Sequence, residues 1–494
     1  MDIRKPFKVV VAGGGGAGLT LANMLQEFDI DFVVLEAHGE IAPPVGASIG
    51  LFPNGLRILD QIGCYEPIQA MKQESLHRAH FRDKSGKMID QAARFSNAPE
   101  PHSILYDEVE DKSRVLPKRK VSRIEHDARG VRVTTLDGET FDGSIMVGAD
   151  GIYSSTRKGM NGMAQELRSC PFQPGQEDEI PCYYNRSFDI AQNVDGWARQ
   201  DQSFIFGDGN SALVSSGPEN RVYWFMFVRL PELKRGGSIP EYTKEDEEAF
   251  AEEYAKVAVT ETLKFDDIYK KKPRSTLTPL HEMVYRTWFY RRVVLLGDSA
   301  HKAQPHRRPD GAIESASELI NALIEARDAH HSLECLYEDG LTRVFARMQS
   351  ARFERARFLV KNSNGLQALM ASENTLKTAL ARPLISFTPA VNVFLPNASN
   401  SLLGNSRINR LPVPFRPRAI PFEDERPAVP VKPATSDTIR RIYAGTILIL
   451  SILAAVTTPA WPAPGGINSL WQHVAPVLMY TIEGHYASNQ SPIL

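Results

Sequence analysis

Lys8-Val9-Val10-Val11-Ala12 is an apolar run of the length of a buried strand. A glycine cluster follows. Leu19, Leu21, Ala22, Leu25 and Phe28 then recur at helical spacing, and Asp31-Phe32-Val33-Val34-Leu35-Glu36 is apolar again. That order predicts a βαβ unit on a parallel sheet. Between Val121 and Phe141, Val131, Val133 and Thr135 alternate with polar residues and Asp137-Gly138 marks a hairpin turn, which predicts a strand pair. Ser144 to Val147 is another buried strand, ending in Gly148-Ala149-Asp150-Gly151.

The texture changes from about 165 to 285. Phe204-Ile205-Phe206, the turn Gly207-Asp208-Gly209-Asn210 and Val222-Tyr223-Trp224-Phe225-Met226-Phe227 predict antiparallel strands rich in aromatic side chains. Arg292-Val293-Val294-Leu295-Leu296-Gly297-Asp298 returns to the buried parallel type, and helical patterns run from about Ala312 to Asn362. Pro412, Pro414, Pro417, Pro421, Pro427, Pro430 and Pro433 break regular structure, which predicts a linker over 406–439. The tail, 440–494, is apolar. Ile442 to Trp461 holds 20 residues without Asp, Glu, Lys or Arg, about the length that spans a bilayer. Arg440 and Arg441 precede it and would keep the preceding domain on the cytoplasmic side. A buried hydrophobic tail helix is the alternative.

Composition narrows the classes. The net charge of −2 gives no basic excess for nucleic acid. No histidine and cysteine spacing reads as a metal site. Cys64, Cys170, Cys182 and Cys335 stand far apart, which fits a reducing compartment better than a disulfide framework. The first residues contain no apolar signal region.

The candidate chemistry begins at Gly13-Gly14-Gly15-Gly16-Ala17-Gly18, which satisfies GxGxxG through Gly13, Gly15 and Gly18 between a strand and a helix. Glycines there let the backbone approach a pyrophosphate at the helix N-terminus. Glu36 ends the second strand, 18 residues on, where a carboxylate accepts hydrogen bonds from ribose hydroxyls. This motif alone does not separate NAD from FAD.

Two further segments do. Gly148-Ala149-Asp150-Gly151 with Arg157 resembles the second fingerprint of flavoprotein hydroxylases, and Gly297-Asp298-Ser299-Ala300-His301 resembles the third. Val45 to Gly55, with Arg57-Ile58-Leu59-Asp60 and Trp224-Phe225, is similar to fungal FAD-dependent monooxygenases of meroterpenoid and indole-diterpene pathways. The resemblance implies an α/β fold. A Rossmann-type FAD-binding domain in two parts (1–165 and 286–405) would carry a mixed-sheet substrate domain (166–285) and a C-terminal apolar helix. It implies that Gly13, Gly15, Gly18, Glu36, Gly50, Asp298 and Gly311 hold FAD, with Asp298 on the ribitol and Glu314-Ser315-Ala316 opening the next helix.

The reaction implied is epoxidation or hydroxylation of a prenylated secondary-metabolite intermediate with NADPH and O2, on a membrane-associated enzyme whose catalytic domain faces the cytoplasm. The cofactor carries most of the chemistry in such enzymes. Tyr184 and Arg186 lie on a strand expected to face the substrate and are the catalytic candidates; ordinary strand residues are the alternative. His301 is expected to pack under the cofactor rather than act as a base. Two departures stand out. Only Ser96 to Ser103 separates Arg94-Phe95 from Ile104-Leu105-Tyr106, where the family carries a longer stretch with an FAD-contacting arginine. His306-Arg307-Arg308-Pro309-Asp310-Gly311 replaces the glycine-rich loop beside the flavin pyrimidine. A soluble-type aromatic ring hydroxylase, or a non-catalytic relic with impaired flavin binding, remains open at this point.

Overall fold

Val9, Val10 and Val11 lie in water only in the unfolded chain; here all three are fully buried and form the centre of a parallel sheet. The computed structural model describes residues 6–41, 51–70, 78–93, 102–167, 180–302, 308–372, 406–417 and 421–425, all within the compact unit Met1–Glu425. The expected βαβ unit is β1 (Lys8–Ala12), α1 (Gly16–Glu27) and β2 (Asp31–Leu35), with Val9 opposite Phe32 in parallel register. Next come α2 (Pro53–Gln61), α3 (Tyr65–Ala70), β3 (Arg78–Arg82), β4 (Met88–Ala93), α4 (His102–Asp107) and β5 (Val115–Leu116).

β6 (Val121–His126), β7 (Val131–Thr135) and β8 (Thr140–Gly143) make a three-stranded antiparallel sheet rather than a single pair. The predicted Asp137-Gly138 turn joins β7 to β8, with Gly138 at φ +86. A second turn joins β6 to β7, where the Asp127 carboxylate accepts from Arg129 N (2.7 Å) and Gly130 N (2.8 Å). β9 (Ile145–Gly148) and α5 (Ser155–Glu166) follow.

The sheet-rich region supplies β10 (Pro181–Gln192), β11 (Asp201–Phe206), β12 (Asn210–Ser216), β13 (Arg221–Arg235), α6 (Lys244–Tyr254), α7 (Phe265–Tyr269) and β14 (Thr276–His281). The chain then returns through β15 (Met283–Val284), β16 (Phe289–Tyr290), β17 (Val293–Leu295) and β18 (His301–Lys302) to the helices α8 (Arg308–His330) and α9 (Glu338–Met370).

The first sheet has the order β16-β17-β9-β1-β2-β5, parallel except for β16. The second has the order β14-β10-β13-β12-β11-β3-β4. β3 and β4 come from the first 165 residues yet complete the second sheet. β3 pairs with β11 in parallel, Phe81 opposite Phe204, and the two rings stack at 5.4 Å. Without β3, β11 would be an unpaired edge.

The two faces of the second sheet differ because strand side chains alternate. Trp224, Met226 and Val228 point to one face and pack with Phe250 of α6 and Phe265 and Ile268 of α7. Phe225 and Phe227 point to the other and cluster with Tyr184, Leu213, Leu280 and Ala371.

The expected linker is docked over its described part. Ile408 and Phe422 are buried. Gln61 of α2 donates to the carbonyls of Ile408 (2.9 Å) and Leu411 (3.1 Å), and Ile408 N donates back to Gln61 Oε1 (2.8 Å). Arg416 holds Asp60 through two bonds of 2.9 Å, and Arg57 holds Asp424 through bonds of 2.9 and 2.7 Å. Proline density left this part without α-helix or strand among the described residues, apart from a single 3-10 turn at Glu423–Glu425, but it did not prevent the strap from laying its apolar and charged side chains on α2. The apolar tail, with the expected C-terminal helix, lies outside the described residues. Among the described residues no helix is long and apolar enough to cross a membrane.

Candidate functional site: a dinucleotide groove beside an aromatic sheet face

β1 ends at Ala12 and α1 begins at Gly16, so Gly13 to Gly15 must reverse the chain in three residues. Gly13 does so at φ +103, and a Cβ there would stand 2.4 Å from the Ala149 carbonyl oxygen. A Cβ on Gly18 would stand 1.9 Å from the Gly13 oxygen. Gly15 differs. It is the N-cap of α1, no side chain caps the helix, and a Cβ there would meet nothing within 4 Å. The helix therefore presents its first N–H groups and the positive end of its dipole to open space, an arrangement that binds phosphate.

Glu36 stands where the sequence places it, one residue past β2. Its carboxylate accepts from Gly14 N at 2.6 Å and His38 N at 2.8 Å. These bonds fix its orientation beside the turn and leave acceptor capacity for ribose hydroxyls.

The three fingerprints converge. Gly13 touches Ala149 and Asp150 of the second. The Asp150 carboxylate accepts from Ser154 Oγ (2.5 Å), Thr156 N (2.9 Å) and Ser299 Oγ (3.1 Å), the last from the third fingerprint. Arg157 closes the junction by donating to the carbonyls of Ser299 (3.2 Å) and Ile152 (2.9 Å). Gly297, at φ +57, leaves only 3.3 Å between a would-be Cβ and Ala17 Cβ of α1, and 3.1 Å to Ala312 of α8. Asp298 follows at the partly exposed end of that crossing, beside both helix starts.

α8 begins at Arg308, almost two turns before the predicted opening at Glu314, with Pro309 in its first turn where a missing N–H costs nothing. Glu314 is therefore interior. It accepts from Asn54 Nδ2 (2.7 Å) and from Arg355 through two bonds of 2.8 Å, and it forms an ion pair with Arg352, with Glu314 and Arg352 both fully buried. Burial pushes the Glu314 carboxyl up, but the two guanidinium groups and Asn54 outweigh it and hold it down at about 2. Asp310 is also buried. Its Oδ1 accepts from Phe52 N at 3.1 Å at the start of α2, and burial, reinforced by the charge of Glu314, raises its carboxyl well above the usual range.

Gly311 lies in the first turn of α8, packed on His301, with its carbonyl accepting from Ser315 Oγ and Arg352. His301 is buried beside Trp288, and its Nε2 meets Ser315 Oγ at 2.8 Å. Burial, with Arg352 nearby, lowers the imidazole to about 3 and leaves it neutral.

Tyr184 and Arg186 both point to the aromatic face of the second sheet. Tyr184 is core there, 1% exposed. The Arg186 guanidinium lies 4.0 Å over the Phe188 ring and 5.9 Å from that of Phe225. Phe188, Phe225 and Phe227 stack in near-parallel succession at 6.2 and 6.3 Å. One register row crosses five strands as Phe81, Phe204, Leu213, Phe225 and Phe188. Four strand spacings make a shelf about 19 Å wide.

Gly50, His306 and Arg307 lie outside the described residues, as does most of the shortened 96–103 stretch. Sequence reasoning missed Asn54, Arg352 and Arg355, whose partners lie on other helices. It also missed Phe81, whose short segment carries no cue that it joins a strand more than a hundred residues later.

The chain matches the FAD binding domain family over residues 6–308. It is 32% identical over 434 residues to the FAD-dependent monooxygenase olcE of Penicillium canescens, covering 83% of this chain and 91% of that one. It is 31% identical over 433 residues to the FAD-dependent monooxygenase spyC of Aspergillus fumigatus, covering 82% and 91%. In fold it is similar to Klebsiella pneumoniae HpxO complexed with FAD and uric acid, with a TM-score of 0.62 at 19% identity over 82% of this chain and 99% of that one. The open phosphate end at Gly15, the fixed carboxylate of Glu36 and the Gly297–Asp298 crossing fit FAD. This chain belongs to the FAD-dependent monooxygenases that share the FAD binding domain.

Proposed function

We propose that the protein epoxidises, or hydroxylates, a prenylated secondary-metabolite intermediate with NADPH and O2. The aromatic shelf carries this reading. A row of four phenylalanines and one leucine about 19 Å wide suits an extended apolar chain better than a small polar ring. The names of the relatives above support the reaction class.

FAD, when bound, supplies the activation of oxygen. The residues of this chain do the rest. Gly13 to Gly18 and the start of α1 take the diphosphate, Glu36 the adenosine ribose and Asp298 the ribitol. The shelf fixes the alkene and excludes water from it. Arg186, a permanent cation on the same face, stabilises negative charge that develops on the oxygen being transferred. Tyr184 packs behind it and sets the position of its strand. The uncharged run Ile442 to Trp461 supports membrane association, which flotation of the full chain with phosphatidylcholine vesicles checks, and Arg440 and Arg441 before it support a cytoplasmic catalytic domain.

The deciding experiment begins with an absorption spectrum of the purified full chain, where flavin bands are expected. NADPH oxidation is then followed with a farnesylated phenol and with simple phenols. Stimulation and an oxygenated product are expected with the farnesylated probe. Colourless protein that stays so on adding FAD sinks the reading, and stimulation by simple phenols alone moves it to the ring hydroxylases.

A further inference from the structure

Strand side chains alternate between the two faces of a sheet, and β10 breaks that rule at one place. Cys182 is opposite His281 of β14 and Tyr184 is opposite Leu280, so Tyr183 is one residue more than β14 has there. On the other side Cys182 is opposite Lys234 and Tyr184 is opposite Arg229, with Leu230 to Leu233 of β13 between them. Tyr183 therefore stands in a bulge that interrupts both ladders. Bulges recur beside active sites, where they re-aim a side chain.

The bulge has a visible result. Tyr183 and Tyr184 are neighbours in the chain, yet both pack with the aromatic cluster of Phe225, Phe227, Leu213 and Leu280. Their surroundings differ. Tyr184 is sealed at 1% exposure and offers no surface to a ligand. Tyr183 is partly exposed, and among the described residues its hydroxyl makes no hydrogen bond. A tyrosine combines an apolar ring with a polar tip, and here the ring packs on the cluster while the residue keeps accessible surface.

Its place along the sheet points to the cofactor. The neighbouring Cys182 is opposite His281, and the ring of Tyr153, two residues past the second fingerprint, meets the His281 ring edge-on at 6.0 Å. Glu282 N donates to the Pro181 carbonyl at 3.2 Å. Immediately afterwards Met283 and Val284 pair with Lys302 and His301, at the end of the third fingerprint. The bulge thus lies where the aromatic face meets the segments that carry the cofactor motifs.

We propose that Tyr183 is the substrate-contacting tyrosine of the shelf. Its ring extends the apolar floor toward the cofactor, and its hydroxyl donates a hydrogen bond to a substrate oxygen. That bond sets how far the apolar chain advances toward the flavin-binding segments. This rests on the reading of the shelf as the substrate floor.

Nitration of the FAD-loaded full chain by tetranitromethane, mapped by peptide fragmentation, tests this. Tyr183 is expected to be nitrated and to be protected by saturating farnesylated phenol. Tyr337, 68% exposed at the start of α9, is expected to be nitrated either way. Isothermal titration gives a second measure. Wild type is expected to bind the farnesylated phenol about fivefold more tightly than farnesylbenzene, which has no oxygen, as one hydrogen bond would give. Y183F is expected to bring the two probes within about twofold, with the flavin spectrum unchanged. No nitration of Tyr183, nitration that the bound phenol does not slow, or an undiminished preference in Y183F overturns the proposal. Binding of neither probe overturns it together with the reading of the shelf. Protection and preference without any oxygenated product would instead remove the monooxygenase reading of the substrate and leave the Tyr183 contact standing.

Discussion

Gly13 and Gly15 are two residues apart, and a methyl group has opposite consequences at the two. At Gly13 it meets the backbone of Ala149 and Asp150 in a conformation that L side chains avoid. G13A is expected to cost at least about 2 kcal/mol of stability and to abolish flavin retention. At Gly15 the methyl group meets nothing in the protein. G15A is therefore expected to unfold within about 1 kcal/mol of wild type yet to bind FAD about tenfold or more weakly, because only a bound diphosphate occupies that space. Paired measurements of thermal stability and flavin fluorescence check both. A large loss of stability in G15A would show that the space is filled by the protein after all.

At the scale of elements, the segments 406–417 and 421–425 tie the chain's later part to α2. Arg57 is 3% exposed at its side chain, and its charge is met by Asp424 and by the Phe422 ring at 4.4 Å. D424N would leave a buried guanidinium without its counter-charge, so a loss of about 1–3 kcal/mol is expected in urea unfolding. R57M, which removes the charge itself, is expected to cost less. The reverse ranking would mean that the pair adds nothing beyond packing. Nothing in the sequence pointed to this strap, because Asp424 and Arg416 find partners some 360 positions away and proline density carries no information about docking. The βαβ unit, by contrast, was legible from Val9–Val11 and Phe32–Leu35, since a buried parallel strand reads as a continuous apolar run. The convergence of Gly13, Asp150 and the Gly297–Ser299 turn was legible as three fingerprints. The Glu314 cluster was not, because its charges alternate between helices and leave no local pattern. The start of α8 was misplaced because Pro309 reads as a breaker until its first-turn position is known.

For the molecule as a whole, acid sensitivity follows from the groups held neutral or ionised against their usual tendency. His301 is neutral in the folded state down to about pH 3, whereas the free side chain takes a proton near 6.5. Below about 6.5 the unfolded chain binds the extra proton, so stability falls as pH drops through that window, by up to about 1.4 kcal/mol per unit. Glu314 acts in the same direction over a lower range, from 4.5 to about 2. Asp310 opposes them, since its raised carboxyl makes the unfolded state relatively more favourable as pH climbs above its ordinary value of 3.8. Thermal melts between pH 7.5 and 5 are expected to show a falling midpoint in wild type and a flatter profile in H301N. Parallel profiles would remove His301 as the cause.

The order β17-β9-β1 has a further consequence, for synthesis. The strand that completes the middle of the first sheet, Val293–Leu295, leaves the ribosome some 280 residues after β1. Until then the nascent chain exposes the bare flank of β9, a template for sticking to other chains. It also lacks the aspartate that completes the groove. Cofactor capture thus waits for the last parallel strand, and ribosome-stalled chains ending before residue 290 should be colourless and dependent on chaperones, however long they are given.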